Sequence, residues 1–109
     1  MIDINFRSQP ERGAYALHIR GHANYAPSGK DIICAAVSTL GYTFAAVVRR
    51  MDADGELIDR PLIRESEGEL WIQVRARETY RAALAQSFDT VRTGLALLAE
   101  HYPAYVHLR

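Results

Sequence analysis

Alternation of apolar and polar side chains predicts two strands at the start of the chain. One alternating run covers residues 2 to 7, and a second covers residues 14 to 20. A period of two is typical of a strand with one buried face. The polar segment between the runs contains Pro10 and Gly13 and predicts a hairpin loop, so we expect antiparallel pairing. Gly21 ends or bends the second strand.

Two longer segments have the three- and four-residue spacing of amphipathic helices. Asp31 is a preferred N-cap for the first helix, and the second opens at Glu78 and Thr79 and is broken by Pro103. The predicted core stripe of the first helix is Ile33, Val37, Leu40, Phe44, Val47 and Met51. A neighbouring stripe of small residues, where another element can approach closely, is Cys34, Ser38, Gly41 and Ala45. The stripe of the second helix is Tyr80, Leu84, Ser87, Phe88, Val91, Leu95 and Leu98.

Three further strands complete the predicted fold. Residues 57 to 63 are interpreted as a strand that Pro61 places at an edge or a bulge. Residues 66 to 68 form a turn, residues 70 to 75 alternate again, and residues 104 to 108 supply a short last strand. The order ββαββαβ predicts one α+β domain over residues 1–109. We expect a two-layer sandwich of a mostly antiparallel sheet with both helices on one face.

Charge and apolar content limit the class of partner. The chain carries 13 basic and 13 acidic residues, which argues against bulk attraction to nucleic acid, so no direct nucleic-acid partner is expected. The apolar run from residue 35 to 48 is interrupted by Ser38, Thr39 and Thr43, and we interpret it as too short and polar to span a membrane. The single cysteine and an N-terminus without an apolar signal region favour a cytoplasmic protein.

The candidate chemistry lies between residues 21 and 38. Cys34 is the only cysteine of the chain and falls in the first turn of the predicted helix. A thiol has a reference pKa of about 8.5 and becomes a strong nucleophile when ionised, which a helix N-terminus and a nearby imidazolium both favour. His22 is the candidate general base and acid, and free N–H groups near Cys34 are candidate oxyanion donors.

Two neighbours of the candidate nucleophile have alternative roles. Asp31 either caps the helix or orients His22, because its negative charge near the sulfur would oppose thiolate formation. Ser38 lies one turn after Cys34 and can reach the imidazole or the substrate, although helical serines commonly bond back to a carbonyl. The remaining histidines have no ligand spacing, so neither a metal nor a cofactor is predicted.

The same stretch carries a resemblance to a known family. Gly21-His22-Ala23, then Tyr25 and Gly29, and then the run D-I-I-C-A-A-V-S from residue 31 to 38 resemble the signature of the bacterial ribosomal-processing cysteine protease family (Prp). Chain length and element order are also similar. The resemblance implies that Cys34 is the nucleophile and His22 the base, with supporting roles for Asp31 and Ser38 and a substrate loop shaped by Gly21, Ala23, Tyr25 and Gly29.

The resemblance also implies a substrate. Members of the family remove the N-terminal extension of large-subunit ribosomal protein twenty-seven, cleave after an aromatic pair, and tend to form homodimers. We therefore expect an extended peptide with bulky apolar residues as substrate, no cofactor, and a loop from residue 23 to 30 that closes on the peptide.

Two other classes of function remain open from the residues alone. A lone cysteine among apolar neighbours is commonly a small buried hydrophobe. The chain would then be a non-catalytic ribosome-assembly or protein-interaction module. A small-molecule thiol hydrolase is the third class, and it would require a deep enclosed pocket instead of a groove.

Overall fold

The computed structural model describes residues 1–27 and 29–109. Its main elements are β1 (Ile2–Gln9), β2 (Ala14–Gly21), α1 (Ile32–Ala53), β3 (Leu62–Ser66), β4 (Glu69–Arg75), α2 (Arg81–His101) and β5 (Val106–Leu108). Single 3₁₀ turns at Pro10–Arg12 and Glu78–Tyr80 precede β2 and α2. This order confirms the predicted sequence of elements.

The five strands form one sheet in the order β3-β4-β2-β1-β5. Three of the four pairings are antiparallel, and β5 runs parallel to β1. The strands alternate as expected, because their apolar residues point to one face and are buried there. The α+β prediction with a mostly antiparallel sheet is confirmed.

Both helices cover the same apolar face of the sheet. The ring of Phe88 in α2 lies 5.8 Å from that of Phe6 and 4.9 Å from that of Tyr15, both on strands, and 5.5 Å from that of Phe44 in α1. Since aromatic pairs at these separations attract one another, Phe88 joins both helices to the sheet.

The third strand differs from its predicted range of 57 to 63. Only Leu57 of the first part makes a bridge, to Ala76, and β3 begins at Leu62. The reason is Pro61, which has no N–H to donate to a ladder, so regular pairing starts after it. The last strand is also shorter than predicted, since β5 begins at Val106.

The buried stripe of α1 is rotated from the predicted one. Leu40 and Val47 are only partly buried, while Gly41, Ala45 and Val48 are buried. The helix lies against the sheet with its small residues and turns Leu40 towards α2, where Leu40 packs on Gly94. The small stripe therefore marks a close helix–sheet contact.

The length of α1 corrects the expectation about its apolar run. The helix has 22 residues and is long and apolar enough to cross a membrane by length and composition alone. The hydroxyls of Thr39 and Thr43 donate to the carbonyls of Ala35 and Thr39 at 2.8 and 2.7 Å, so these residues do not interrupt the helix. The core helix of a soluble protein passes the same test, and the buried side of α1 lies in the core described above.

A larger side chain at Gly41 is expected to destabilise the fold. A Cβ there would lie 2.7 Å from Leu70 Cδ2 and 2.8 Å from Ile19 Cδ1. Gly41→Val should lower the free energy of unfolding by about 1–3 kcal/mol because it overpacks this contact. Urea unfolding measures the loss. The control is Ala46→Val on the exposed side of α1, and an equal loss in both variants would contradict the close contact.

Candidate active site

The carboxylate of Asp31 organises the start of α1. It is the N-cap, and its Oδ1 accepts hydrogen bonds from the backbone N–H groups of Ile33 and Cys34, each at 3.0 Å. These two donors have no acceptor within the helix, which is why an aspartate is favoured at this position. The predicted cap is therefore present, and it places Cys34 as the third residue of α1.

The second oxygen of the same carboxylate holds the preceding loop. Asp31 Oδ2 accepts the N–H of Tyr25 at 3.0 Å and that of Ala26 at 3.4 Å. Four backbone N–H groups thus surround one carboxylate. The bond from Cys34 does most to lower the pKa of Asp31 below 3.8; the bonds from Tyr25, Ala26 and Ile33 add to it, and burial opposes it. Among the described residues no hydrogen bond or ion pair joins this carboxylate to the His22 ring.

The thiol of Cys34 is accessible from the surface. Cys34 is partly buried, and its Sγ accepts the backbone N–H of Ala23 at 3.3 Å. The contact ties the nucleophile candidate directly to the residue that follows His22.

Two adjoining cavities are lined by both Cys34 and His22. The larger is a surface cleft of about 410 Å³, lined by His22, Asn24, Ala26, Gly29, Lys30, Asp31, Ile32, Cys34, Ala35 and Ser38. The smaller has about 110 Å³ and is lined by Ile2, Ile19, Gly21, His22, Cys34, Val37, Ser38, Tyr42, Ser66, Gly68, Glu69 and Leu70. His22, Cys34 and Ser38 line both, so these three side chains stand where the cavities meet.

The other three histidines are engaged elsewhere. His18 Nε2 lies 2.8 Å from Glu69 Oε2 and its ring is 4.0 Å from that of Trp71, on the face of the sheet away from the helices. His101 Nδ1 lies 2.8 Å from its own helix's Leu97 carbonyl. His107 Nδ1 lies 3.5 Å from Asp3. Of the four histidines, all of which the structure describes, His22 is the one that lines the two cavities together with Cys34.

The predicted substrate loop divides into two groups of residues. Gly21 lines the smaller cavity and Gly29 the larger, both with positive φ, at 102° and 86°. Ala23 is buried in the core, and Tyr25 packs edge-to-face on Tyr105 at 5.2 Å, outside both linings. Residue 28 lies outside the described part of the chain, so closure of the loop from 23 to 30 stays a prediction.

One part of the predicted chemistry needs correction. The N–H groups of Ile33 and Cys34 are not free, because Asp31 Oδ1 accepts both. That of Ala35 donates to the Asp31 carbonyl at 3.1 Å. The N–H groups of the first turn of α1 are therefore already hydrogen-bonded to Asp31 and are not free to bind an oxyanion. The N–H of Ala23 is the backbone donor directed at the sulfur.

Pattern reasoning did not single out Asn24 and Gly68 at this site. Asn24 has a positive φ of 55° and lines the larger cleft. Gly68 was predicted only as part of a turn, and its packing against the His22 ring joins segments far apart in the sequence. A positive φ at Asn24 is tolerated because asparagine occupies the left-handed region more readily than most residues, but no local signal indicates the cleft.

Comparison with known proteins identifies the class of enzyme. The model of a family of cysteine proteases matches residues 1–107. The chain belongs to that family, described as cysteine protease Prp. A search of curated proteins finds no significant match.

Solved structures share the fold over the whole chain. A structure of the ribosomal processing protease Prp from S. aureus with a covalently linked product peptide has a TM-score of 0.74 at 22% identity, and one with a substrate peptide has 0.70 at 21%. Each comparison covers 100% of this chain and 98% of the other. SMU.848 from Streptococcus mutans has a TM-score of 0.66 at 25% identity and covers 100% and 92%.

The Asp31 cap should lose its stabilising effect in acid. The pKa of Asp31 is lowered in the folded state from 3.8, so the carboxylate stabilises the fold at pH values above 3.8, and this contribution falls as pH drops through the folded value. We expect the stability difference between wild type and Asp31→Ala to be constant above about pH 5 and to shrink below pH 3.8. Urea unfolding from pH 3 to 7 measures it.

The exposed Asp59 supplies the control for that series. Asp59→Ala should change stability little at any pH, because surface substitutions outside such contacts have small effects. Asp31→Asn keeps an oxygen for the helix cap but places an amide near Tyr25 and Ala26, so it should be less stable than wild type. A wild type–Asp31→Ala difference that stays constant down to pH 3 would show that the charged form is not the stabilising one.

Proposed function

We propose that this protein is an endopeptidase in which Cys34 is the nucleophile and His22 the general base and acid. The observation that carries the proposal is the shared lining of two cavities by the Cys34 thiol and the His22 imidazole. The Ala23 N–H at 3.3 Å from Sγ adds support, because it holds the sulfur next to the residue that follows His22. Membership of a cysteine protease family points to the same chemistry.

The reaction follows from these two groups. The Cys34 thiolate attacks the carbonyl carbon of the scissile peptide bond, and His22 gives a proton to the nitrogen that leaves. The C–N bond breaks, the amine product departs, and the acyl group remains on sulfur as a thioester. His22 then takes a proton from a water molecule that attacks the thioester. The C–S bond breaks and the carboxylic acid leaves, and the proton now on His22 restores the thiolate–imidazolium pair with which the cycle began.

The proposed substrate is the N-terminal extension of large-subunit ribosomal protein twenty-seven. The S. aureus proteins that share the fold are described as ribosomal processing proteases and were solved with a substrate peptide and a covalently linked product peptide. The larger of the two cavities beside Cys34 is a surface cleft with many exposed lining residues, which suits an extended peptide better than an enclosed small molecule. Ile32, 60% exposed, lines this cleft, and Tyr42, 51% exposed, lines the smaller cavity; both belong to α1 and offer apolar contacts for bulky side chains.

The supporting residues have distinct proposed roles. Asp31 holds the first turn of α1 against the loop, and Ser38 is placed to contact the imidazole or the substrate. Gly21 and Gly29 shape the two cavities, while Ala23 and Tyr25 anchor the loop through the core and through aromatic packing. These roles rest on the contacts described above and on the resemblance to the family.

A homodimer and a cytoplasmic location are also part of the proposal. The resemblance to the family favours a dimer, and the face of the sheet away from the helices is open to a second copy of the chain. On that face the buried Trp71 Nε1 has no hydrogen-bond partner among the described residues. The single cysteine suits a reducing compartment, which favours the cytoplasmic location.

Sedimentation should give twice the 12.2 kDa mass of the chain, and a single-chain mass would contradict the dimer.

Cys34→Ala should abolish cleavage and leave folding nearly intact. The assay incubates the protein with the N-terminal segment of the source organism's ribosomal protein twenty-seven and detects products by mass spectrometry. We expect one cut with wild type and none with the variant, because the alanine has no nucleophile. A cut of similar rate in Cys34→Ala would exclude the nucleophile assignment, and circular dichroism checks the fold of the variant.

His22→Ala tests the other half of the pair. We expect a rate loss of roughly 10²–10⁴-fold, the range for a positioned general acid–base group, and slower alkylation of Cys34 by iodoacetamide at neutral pH. His101→Ala is the matched control, since that histidine bonds within α2. The interaction-module alternative would gain support if Cys34 reacted only on unfolding and no peptide was cut.

A further inference from the structure

The turn between β3 and β4 lies directly against the candidate base. Gly68 has a φ of +75°, and its carbonyl accepts the N–H of Gly21 at 2.8 Å. This bond joins the turn to the end of β2, one residue before His22. A Cβ at position 68 would lie 2.7 Å from His22 Nε2, 3.3 Å from Cε1 and 3.4 Å from Cδ2. The backbone of Gly68 therefore packs directly against one edge of the imidazole.

A second glycine separates backbone conformation from this contact. Gly55 has a φ of +72°, close to that of Gly68, but a Cβ there would meet nothing within 4 Å. The left-handed conformation alone accounts for glycine at position 55. Position 68 has a similar backbone conformation, and the His22 imidazole also packs against it. A Cβ there would overlap the imidazole in its present position, so glycine is favoured for a second reason.

The His22 side chain has few other restraints. It is exposed, and among the described residues its ring nitrogens have no hydrogen-bond partner. The backbone beside it is held by the Gly21–Gly68 bond and by the His22 carbonyl, which accepts the Met1 nitrogen at 2.6 Å. Because the ring can rotate into solvent, a side chain at position 68 would displace it without needing to disturb the core.

We propose that Gly68 is a positioning residue that holds the His22 imidazole at the junction of the two cavities, beside Cys34. This inference rests on the proposed function, because it assigns Gly68 a role only if His22 is the base. The β3–β4 hairpin then belongs to the active site although it supplies no reactive group. The contact limits the positions of the ring and so favours the one from which a proton can reach the substrate.

The test compares Gly68→Ala with Gly55→Ala. Both add one methyl group at a positive φ, so both should lower the thermal unfolding midpoint by similar amounts. In the peptide cleavage assay, kcat of Gly68→Ala should fall by at least roughly ten-fold with KM changed less than about two-fold, because a displaced base slows chemistry more than binding. Gly55→Ala should keep the wild-type kcat within about two-fold.

A second readout needs no substrate. The rate of Cys34 alkylation by iodoacetamide is measured from pH 5 to 9 for wild type, His22→Ala, Gly68→Ala and Gly55→Ala. The profile of Gly68→Ala should move towards that of His22→Ala, and the profile of Gly55→Ala should match wild type. If His22→Ala matches wild type in both assays, the proposed function fails. If His22→Ala is impaired and Gly68→Ala behaves like Gly55→Ala, the positioning role is overturned.

A further pair of variants protects the test against misfolding. Asparagine tolerates a positive φ better than alanine but still carries a Cβ. Gly68→Asn should therefore fold more stably than Gly68→Ala and remain impaired in cleavage, while Gly55→Asn stays active. Wild-type cleavage by Gly68→Asn would show that backbone strain alone explains the alanine variant and would overturn the proposal.

Discussion

The arrangement of the site depends on the hydrogen bonds that the carboxylate of Asp31 accepts. It binds the N–H groups of Ile33 and Cys34 at the start of α1 and those of Tyr25 and Ala26 in the loop. One side chain thus ends the loop, begins the helix and keeps both together. Charge-assisted bonds from backbone donors are stronger than neutral ones, so the cap fixes the position of the Cys34 thiol in the first turn of α1. The N–H of Ala23 donates to the sulfur and holds it from the side of the loop.

The small residues of α1 serve two purposes along one stripe. In the middle of the helix, Gly41 and Ala45 are buried and allow the backbone to approach β2 and β4. In the first turns, Cys34 and Ser38 line the cavities instead. The close contact in the middle sets how near α1 lies to the sheet, and it therefore sets where the first turn of α1 places the thiol. Consecutive segments of one helix face therefore provide the contact with the sheet and the lining of the candidate site.

Glycines shape the other side of the site. Gly21 leaves the strand conformation with a φ of 102° and packs so closely on the Met1 carbonyl that a side chain would clash. His22 is thereby carried off the end of β2 towards the helix. The hydrogen bond between Gly21 and Gly68 adds the β3–β4 turn to this arrangement. A histidine on a mobile loop would lose orientation, whereas this one follows a strand end that two neighbouring segments hold.

Local patterns were sufficient for the order of elements, the Asp31 cap and the segment that carries His22 and Cys34, because alternation, capping and short motifs act between residues close in the chain. Tertiary structure decided which face of α1 is buried, since Leu40 meets α2 and Gly41 meets the sheet only once both are assembled. It also decided that loop N–H groups share the Asp31 carboxylate and that Gly68 packs on His22. These contacts join segments that no periodic pattern connects, so the fold must bring them together before they exist.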